Sequence, residues 1–443
     1  MSEHAKGLND IAWEKLFEKY EILSQIDEQG QFIISASAIR EYREPRLMAK
    51  FDHSINLPQI FSKHGLSILP ISRGDYLISH FEAYHQFETP VEAVTRVSLP
   101  AYIQSIDPGS ITSEAVAINC ALSSGILSDF LGEQPLCATV SGRMGSGKFS
   151  FGIRDLSSGN IREVMVNNAQ IEIDAALEGP NSLAILEAKR DISADFLVRQ
   201  LYYPFRAWQD RIPKRVRPIF LIYSNGIYHL YEYEFQNTGW YHSLKLLQQK
   251  NYSVEDTGIS WEDLLTVKSQ IYEFVAEPEI SFPQADSFQR VINICELLSS
   301  QELSREEITE NYAFNIRQTN YYTDAGRYLG LVQKRYENRK PIYSLSERGK
   351  KIMRLGYKQR QIALCKCILE HEVFYKAFSL SRSNYLLPKQ QIVSIMKSVR
   401  LYQVESDSTY YRRASTISGW ISWMQNLMRR NSENENLTFY EMN

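Results

Sequence analysis

The sequence contains no apolar run of the roughly 18 residues that a membrane-crossing helix needs. Its first ten residues, MSEHAKGLND, lack the apolar core of a secretory signal, so a cytoplasmic protein is expected. Cysteine is scarce. Cys120, Cys137, Cys295, Cys365 and Cys367 are odd in number and form no C-x-x-C pair, which argues against a disulfide framework or a zinc site. Cys365 and Cys367 fall in a helical stretch, where residues two apart point about 200° from each other and chelate poorly. The 8 histidines show no metal-ligand clustering, and no serine sits in a nucleophile-elbow motif. The net charge of −3 does not announce a nucleic-acid binder by its sum.

What is present is an ordinary globular composition: 443 residues, 44% hydrophobic and 23% charged. Two to four domains are expected at that length. Helix periods, strand runs and turn signals divide the chain into a mixed N-terminal region (1–109), an α/β unit (110–280) and two C-terminal α+β units (285–355 and 356–443). Charge is unevenly spread. From Arg317 to Arg360 the chain is crowded with Lys and Arg, and its acids are only Asp324, Glu337 and Glu347. Such a stretch is a local basic footprint or a solvated face.

Within the α/β unit a helix is predicted over 112–130. Extended pieces follow at 136–141, 149–153, 163–174 and 183–189. A helix over 194–208 and strands at 219–223 and 227–233 complete it. From residue 285 the pattern is helix, helix, helix, hairpin. Ser304-Arg305-Glu306-Glu307 is a capping box, and residues 331–345 form the hairpin. That is the winged-helix order, in which the third helix enters a DNA groove. Residues 319–325 (TNYYTDA) echo 408–414 (STYYRRA), with Gly330 and Gly419 at the same offset. The echo predicts a second winged-helix copy, with chance similarity between two helices as the alternative.

The sharpest chemical signal is Gln170-Ile171-Glu172-Ile173-Asp174, followed by Leu183-Ala184-Ile185-Leu186-Glu187-Ala188-Lys189. Strand side chains alternate, so Asp174 shares a face with Glu172, and Glu187 shares one with Lys189. Neighbouring strands would bring two carboxylates and an ammonium to one sheet edge. Mg²⁺ takes hard oxygen ligands and keeps several waters, so Asp174 and Glu187 suffice to dock it against a phosphate. Lys189 would orient or deprotonate the attacking water, or offset charge in the transition state. Glu172 and Glu114 are weaker candidates for an extra metal ligand. A surface strand pair with incidental charges is the bland reading.

The element order, the Asp174…Glu187-x-Lys189 set and the helix from Phe196 to Pro204 resemble type II restriction endonucleases of the PD-(D/E)XK superfamily. The chain is similar in particular to a branch with C-terminal winged helices, whose N-terminal features resemble the runs Glu44–Asp52 and Leu69–Arg73. The proline usual before the first Asp is replaced by Ile173. The resemblance implies an α/β nuclease core, Mg²⁺ as cofactor, and catalytic roles for Asp174, Glu187 and Lys189. It gives Gln200, one helix away, a role in positioning the site or a phosphate, with a plain helix surface as the alternative because the tyrosine four residues later is replaced by Pro204. The implied reaction is cleavage of DNA phosphodiesters at a recognised site, in restriction of foreign DNA.

Gly142-Arg143-Met144-Gly145-Ser146-Gly147-Lys148 has phosphate-loop spacing, but Phe149 stands where a hydroxyl should bind Mg²⁺. A strand–turn–strand with Arg143, Ser146 and Lys148 on the DNA backbone is the preferred reading. Arg317, Gln318 and Asn320 on the first third helix, and Arg412 and Arg413 on the second, are the candidate base readers. Lys334, Arg335, Arg339 and Lys340 on the wing would hold phosphates. The implied partners are double-stranded DNA, a second copy of the chain with two-fold symmetry, and a methyltransferase acting on the same site. The alternatives are a nuclease for modified or branched DNA, and a DNA-binding regulator with an inert core.

Overall fold

The computed structural model describes residues 7–88, 93–381 and 386–429. The N-terminal part packs helices α1 (Leu8–Lys19), α2 (Ile22–Gln29), α3 (Ala36–Arg40), α4 (Pro45–Ala49) and α5 (Gln59–His64) around a small antiparallel sheet. Its strands β1 (Phe32–Ser35), β2 (Ser67–Pro70) and β3 (Asp75–Ser79) lie in the order β1-β3-β2. An aromatic knot of Trp13, Phe17, Phe51 and Phe61 fills it, with Trp13 and Phe61 edge to face at 4.8 Å. Such contacts add about 0.5–1.5 kcal/mol to the burial of the rings.

The central part is built on a seven-stranded mixed sheet. It opens with β4 (Tyr84–Gln86), then β5 (Val94–Arg96), an edge strand of that sheet, and helices α6 (Glu114–Ser123) and α7 (Ile126–Leu131). Strands β6 (Cys137–Gly145), β7 (Lys148–Arg154), β8 (Ile161–Asn167), β9 (Gln170–Glu178) and β10 (Ser182–Lys189) follow. Then come β11 (Asp195–Leu197), α8 (Arg199–Gln209), β12 (Arg215–Ser224), β13 (Ile227–Phe235) and β14 (Leu244–Ser253). The sheet order is β5-β14-β13-β12-β10-β9-β6; β10 runs parallel to β12 and antiparallel to β9. β10 is buried along nearly its whole length, which explains its unbroken apolar run Leu183–Leu186. Helices α6 and α7 cover one face, and α8 covers the other. Ser113 caps α6 by accepting from Val116 N–H at 3.2 Å, a contact worth about 1 kcal/mol.

Several expected elements divide. The helix over 112–130 breaks at Gly125, whose φ of 81° a side chain would resist. The strand over 163–174 breaks at Asn168, with φ 56°, so Glu163 and Asp174 belong to different sheets. The helix expected from Ala194 begins only at Arg199, because Asp195–Leu197 pair with β4. β14 has no counterpart among the expected strands.

The C-terminal part starts with α9 (Trp261–Ser269) and α10 (Phe288–Ser300). Then β15 (Leu303–Ser304), α11 (Arg305–Asn311), α12 (Ile316–Tyr328) and the hairpin β16 (Val332–Glu337) and β17 (Lys340–Leu345) give helix, helix, helix, hairpin. The capping box at Ser304 and Glu307 is formed. Asn338 and Arg339 make the tight turn with positive φ. The expected second winged-helix copy is not built. After α13 (Glu347–Met353) come α14 (Tyr357–Leu369), α15 (Glu372–Leu380), α16 (Lys389–Lys397) and α17 (Asp407–Arg429), with no strand among the described residues. The two echoing segments lie in α12 and α17, but α17 runs on and buries Trp420 against Phe288 instead of turning into a hairpin. The end of the expected unit, 430–443, lies outside the described residues.

Two seams tie the C-terminal part to the others. Arg43 grips Glu310 with two bonds of 2.9 Å, and Asn56 donates to the carbonyls of Thr309 and Tyr312. Asn225 and Gln361 exchange amide hydrogen bonds at 3.0 and 2.8 Å in a buried contact. Among the described residues no helix is long and apolar enough to cross a membrane.

Candidate active site

The antiparallel register pairs Leu186 with Ala175, so its continuation sets Glu187 opposite Asp174. Asp174 Oδ2 accepts from the Ala188 amide at 2.8 Å, which locks the two strand ends together. Glu187 and Lys189 share a face, as alternation requires, and Lys189 Nζ lies 2.5 Å from Glu187 Oε1. Gln200, in the first turn of α8, donates to the same oxygen at 2.6 Å. The crossover from β10 through α8 to the parallel β12 puts that turn beside the end of β10. Tyr203 does not join the group; its hydroxyl donates to the carbonyl of Pro70.

The fold adds a residue that sequence reasoning missed. Asp52 comes from the N-terminal part and sets Oδ2 3.8 Å from Lys189 Nζ. Its signal was the charge-bearing run Lys50-Phe51-Asp52-His53, which nothing local ties to a strand more than a hundred residues away. Glu114, at the start of α6, lines the same cleft as Asp52 and Lys189. Glu172 points elsewhere, to Arg143 at 3.3 Å and Arg46 at 4.0 Å. Behind the site His53 lies 3.5 Å from Asp191, a buried pair in which Asp191 is held down to about 2 despite its burial, chiefly by that histidine. The cleft measures about 330 Å³ and is closed on one side by Asn311 and Tyr312, at the low end for small-ligand pockets.

The carboxylates are poorly compensated. Burial, joined by Asp174, pushes Glu187 up to about 7 against the pull of Lys189. Burial also raises Asp174 and Glu114. Burial works to lower Lys189, but Glu187, Asp52, Glu114 and Asp174 outweigh it and hold it well above its ordinary value. Burial works to raise Asp52, but Lys189 and Lys50 hold it below its usual range. Two oxygens here are buried without a hydrogen-bond partner, Asp52 Oδ1 and Gln200 Oε1. Among the described residues no three His, Cys, Asp or Glu side chains are arranged to hold a metal ion. A cation using one or two carboxylates and water for its other ligands fits the donor set better than one needing an all-protein cage.

The expected DNA contacts fare unevenly. The Gly142–Lys148 segment joins β6 to β7 as a strand–turn–strand with no helix. Arg143 and Lys148 are exposed, but Ser146 is 2% exposed and its hydroxyl donates to Gly147 O, so it has no surface to offer a DNA backbone. On α12, Gln318 accepts from Arg290, while Arg317 and Asn320 line a cleft of about 970 Å³ against the N-terminal part. Arg317 is itself exposed, and Asn320 is half-buried. On the hairpin, Arg335 is engaged by Glu302 and Glu337, and Lys334 sits over Tyr336 and Tyr343. Arg339 and Lys340 are exposed and make no ion pair among the described residues. Arg412 is exposed; Arg413 is half-buried and its Nη1 donates to the carbonyl of Phe282.

Three family models match the chain, each described as a domain of unknown function: DUF6996 over residues 10–78, DUF6997 over 79–253 and DUF7226 over 290–429. Asp52 falls in the first, and Asp174, Glu187, Lys189 and Gln200 fall in the second. No curated protein and no solved structure matches the chain.

Proposed function

We propose that the chain is a Mg²⁺-dependent DNA endonuclease with a PD-(D/E)XK-type site, joined to a winged-helix unit formed by α10 to β17. The observation that supports it best is the pairing of Asp174 with Glu187 across β9 and β10, with Lys189 on the same face and Gln200 reaching Glu187 from the helix that leads to the parallel β12. Asp174 and Glu187 would hold Mg²⁺, which when bound supplies charge to the phosphoryl oxygens and acidifies its water. Lys189 would stabilise negative charge building on the scissile phosphate or orient the attacking water. Gln200 fixes the rotamer of Glu187, and its unpartnered Oε1 accepts a hydrogen bond from a water in the site. Asp52 holds Lys189 in place from the opposite side. Exposed Lys148, Arg339 and Lys340 carry the phosphate contacts. Site-specific cutting of both strands by a homodimer, with a methyltransferase protecting the same sequence, completes the reading.

The test is incubation of the full chain with plasmid and Mg²⁺, with and without EDTA. Discrete fragments that disappear with EDTA are expected. Intact plasmid on a range of methylated and unmethylated substrates would remove the reading.

A further inference from the structure

A second cleft, of about 820 Å³, lies between α10, α13, the start of α14 and the loop after β14. Arg360 projects into it from α14 and is only 4% exposed. Its Nε and Nη2 are both buried without a partner. These two nitrogens form the side edge of the guanidinium, which donates two parallel hydrogen bonds to a pair of adjacent acceptors. Leaving such an edge empty costs several kcal/mol of lost solvation, so it calls for a ligand or a rearrangement. Glu255 lines the same cleft. Its Oε1 accepts from the Tyr357 amide at 3.2 Å, while Oε2 is buried without a partner. A Cβ placed on Gly226 would lie 3.0 Å from the Tyr357 ring, 3.3 Å from Arg360 Nη2 and 3.8 Å from Glu255 Oε2, so both groups adjoin the backbone at Gly226, where a side chain would be crowded.

Two donors beside one anionic acceptor discriminate between ligands. A phosphate or carboxylate satisfies Arg360 but leaves Glu255 facing another anion. Adenine offers no pair of adjacent acceptors, and uracil and thymine set their donor between two acceptors. Two bases present adjacent acceptors followed by a donor: guanine through N7, O6 and N1–H, and cytosine through O2, N3 and the N4 amine. Tyr223 gives the cleft an aromatic wall, and Lys350 and Arg354 stand exposed where a phosphate would meet them. We propose that this cleft binds a guanine or cytosine nucleotide, with Arg360 donating to the two acceptors of the base and Glu255 accepting from its neighbouring N–H. The proposal does not depend on the nuclease reading. A free nucleotide and a base turned out of a strand present the same edge.

The experiment is calorimetric titration of the full chain with GMP, CMP, AMP, UMP and inorganic phosphate, and with single-stranded dC and dG pentamers against dA and dT pentamers. GMP or CMP is expected to bind at least tenfold more tightly than AMP, UMP or phosphate; binding confined to the dC or dG pentamers would identify a strand as the source. Arg360→Lys keeps the charge but loses the fork, and Glu255→Gln keeps the acceptor for Tyr357. Each should weaken base binding tenfold or more with an unchanged melting temperature. Equal binding of all four bases, binding of phosphate alone, or no binding by any probe would overturn the proposal; with no binding, Arg360 and Glu255 close the gap by pairing with each other.

Discussion

Glu232 and Glu187 are both buried glutamates on strands of the seven-stranded sheet, 3% and 8% exposed. Glu232 takes two bonds of 2.7 Å from Arg217 and a third of 2.7 Å from Gln248, and Arg217 sends its remaining nitrogen to Leu131 O. Burial works to raise it, but these donors hold its carboxyl below the ordinary range. Glu187 also has two donors, yet burial and Asp174 push it up to about 7. The difference lies in the surrounding charge. Arg217, with Arg215 3.8 Å away, answers the single carboxylate of Glu232, whereas Lys189 is shared among Asp52, Glu114, Asp174 and Glu187. A buried carboxylate that is matched by its own cation is architecture; the surplus around Glu187 is what the proposed cation site rests on.

The largest effects separate the clusters by activity. Asp174→Ala and Glu187→Ala should each lower Mg²⁺-dependent plasmid cleavage by at least about 10³-fold, some 4 kcal/mol in the barrier. Filter binding should meanwhile show duplex affinity within a few-fold of wild type. Retained cutting by Asp174→Ala would remove the assignment. Stability should show the opposite ranking. Glu232→Ala strands Arg217 and should cost about 3–5 kcal/mol in urea denaturation, while Glu187→Gln relieves surplus charge and should cost less than about 1 kcal/mol or stabilise. Equal losses for both would erase the contrast.

A third buried group solves the same problem by giving up its charge. His371 is 4% exposed and stacks on Tyr328 at 4.3 Å. Burial, then Arg348, hold it down to about 4. Its folded value lies below the unfolded value of about 6.5. Its contribution to stability is therefore full above pH 6.5 and is lost as the pH falls toward 4, by roughly 3 kcal/mol. His371→Phe should flatten that loss in denaturation curves taken at pH 7 and pH 4.5; an unchanged pH dependence would contradict it.

The smallest effect concerns the hairpin. Lys340→Ala should lower the slope of log affinity against log salt by about one, because an unpaired lysine releases counterions from the phosphate it meets. Arg335→Ala should lower it less, since Glu302 and Glu337 already answer its charge. Equal changes would show that those acids do not hold Arg335 in solution.

Alternation made Asp174, Glu187 and Lys189 legible, because a strand's period of two is set by its backbone and needs no tertiary knowledge. The order α10 to β17 was legible for a similar reason: a capping box and a tight turn are local chemistry. Asp52 was not, since only the docking of the N-terminal part carries it to Lys189. The winged copy expected over 356–443 failed because two helices can share a Tyr-Tyr pair and still lead into different elements, a hairpin after α12 and further helix in α17. The burial of Ser146 and the use of Arg413 were also hidden; composition reports a polar side chain but not whether another part of the chain has already claimed it.

If the surplus of carboxylates at the ends of β9 and β10 holds a cation, as proposed, thermal unfolding with and without Mg²⁺ will report it. A ligand present at a hundred times its dissociation constant adds about 2.7 kcal/mol to the folded state. Mg²⁺ should therefore raise the melting temperature of the wild-type chain by several degrees and leave the Asp174→Asn, Glu187→Gln double variant unmoved. An equal rise in both proteins, or none in the wild type at saturating Mg²⁺, would contradict it.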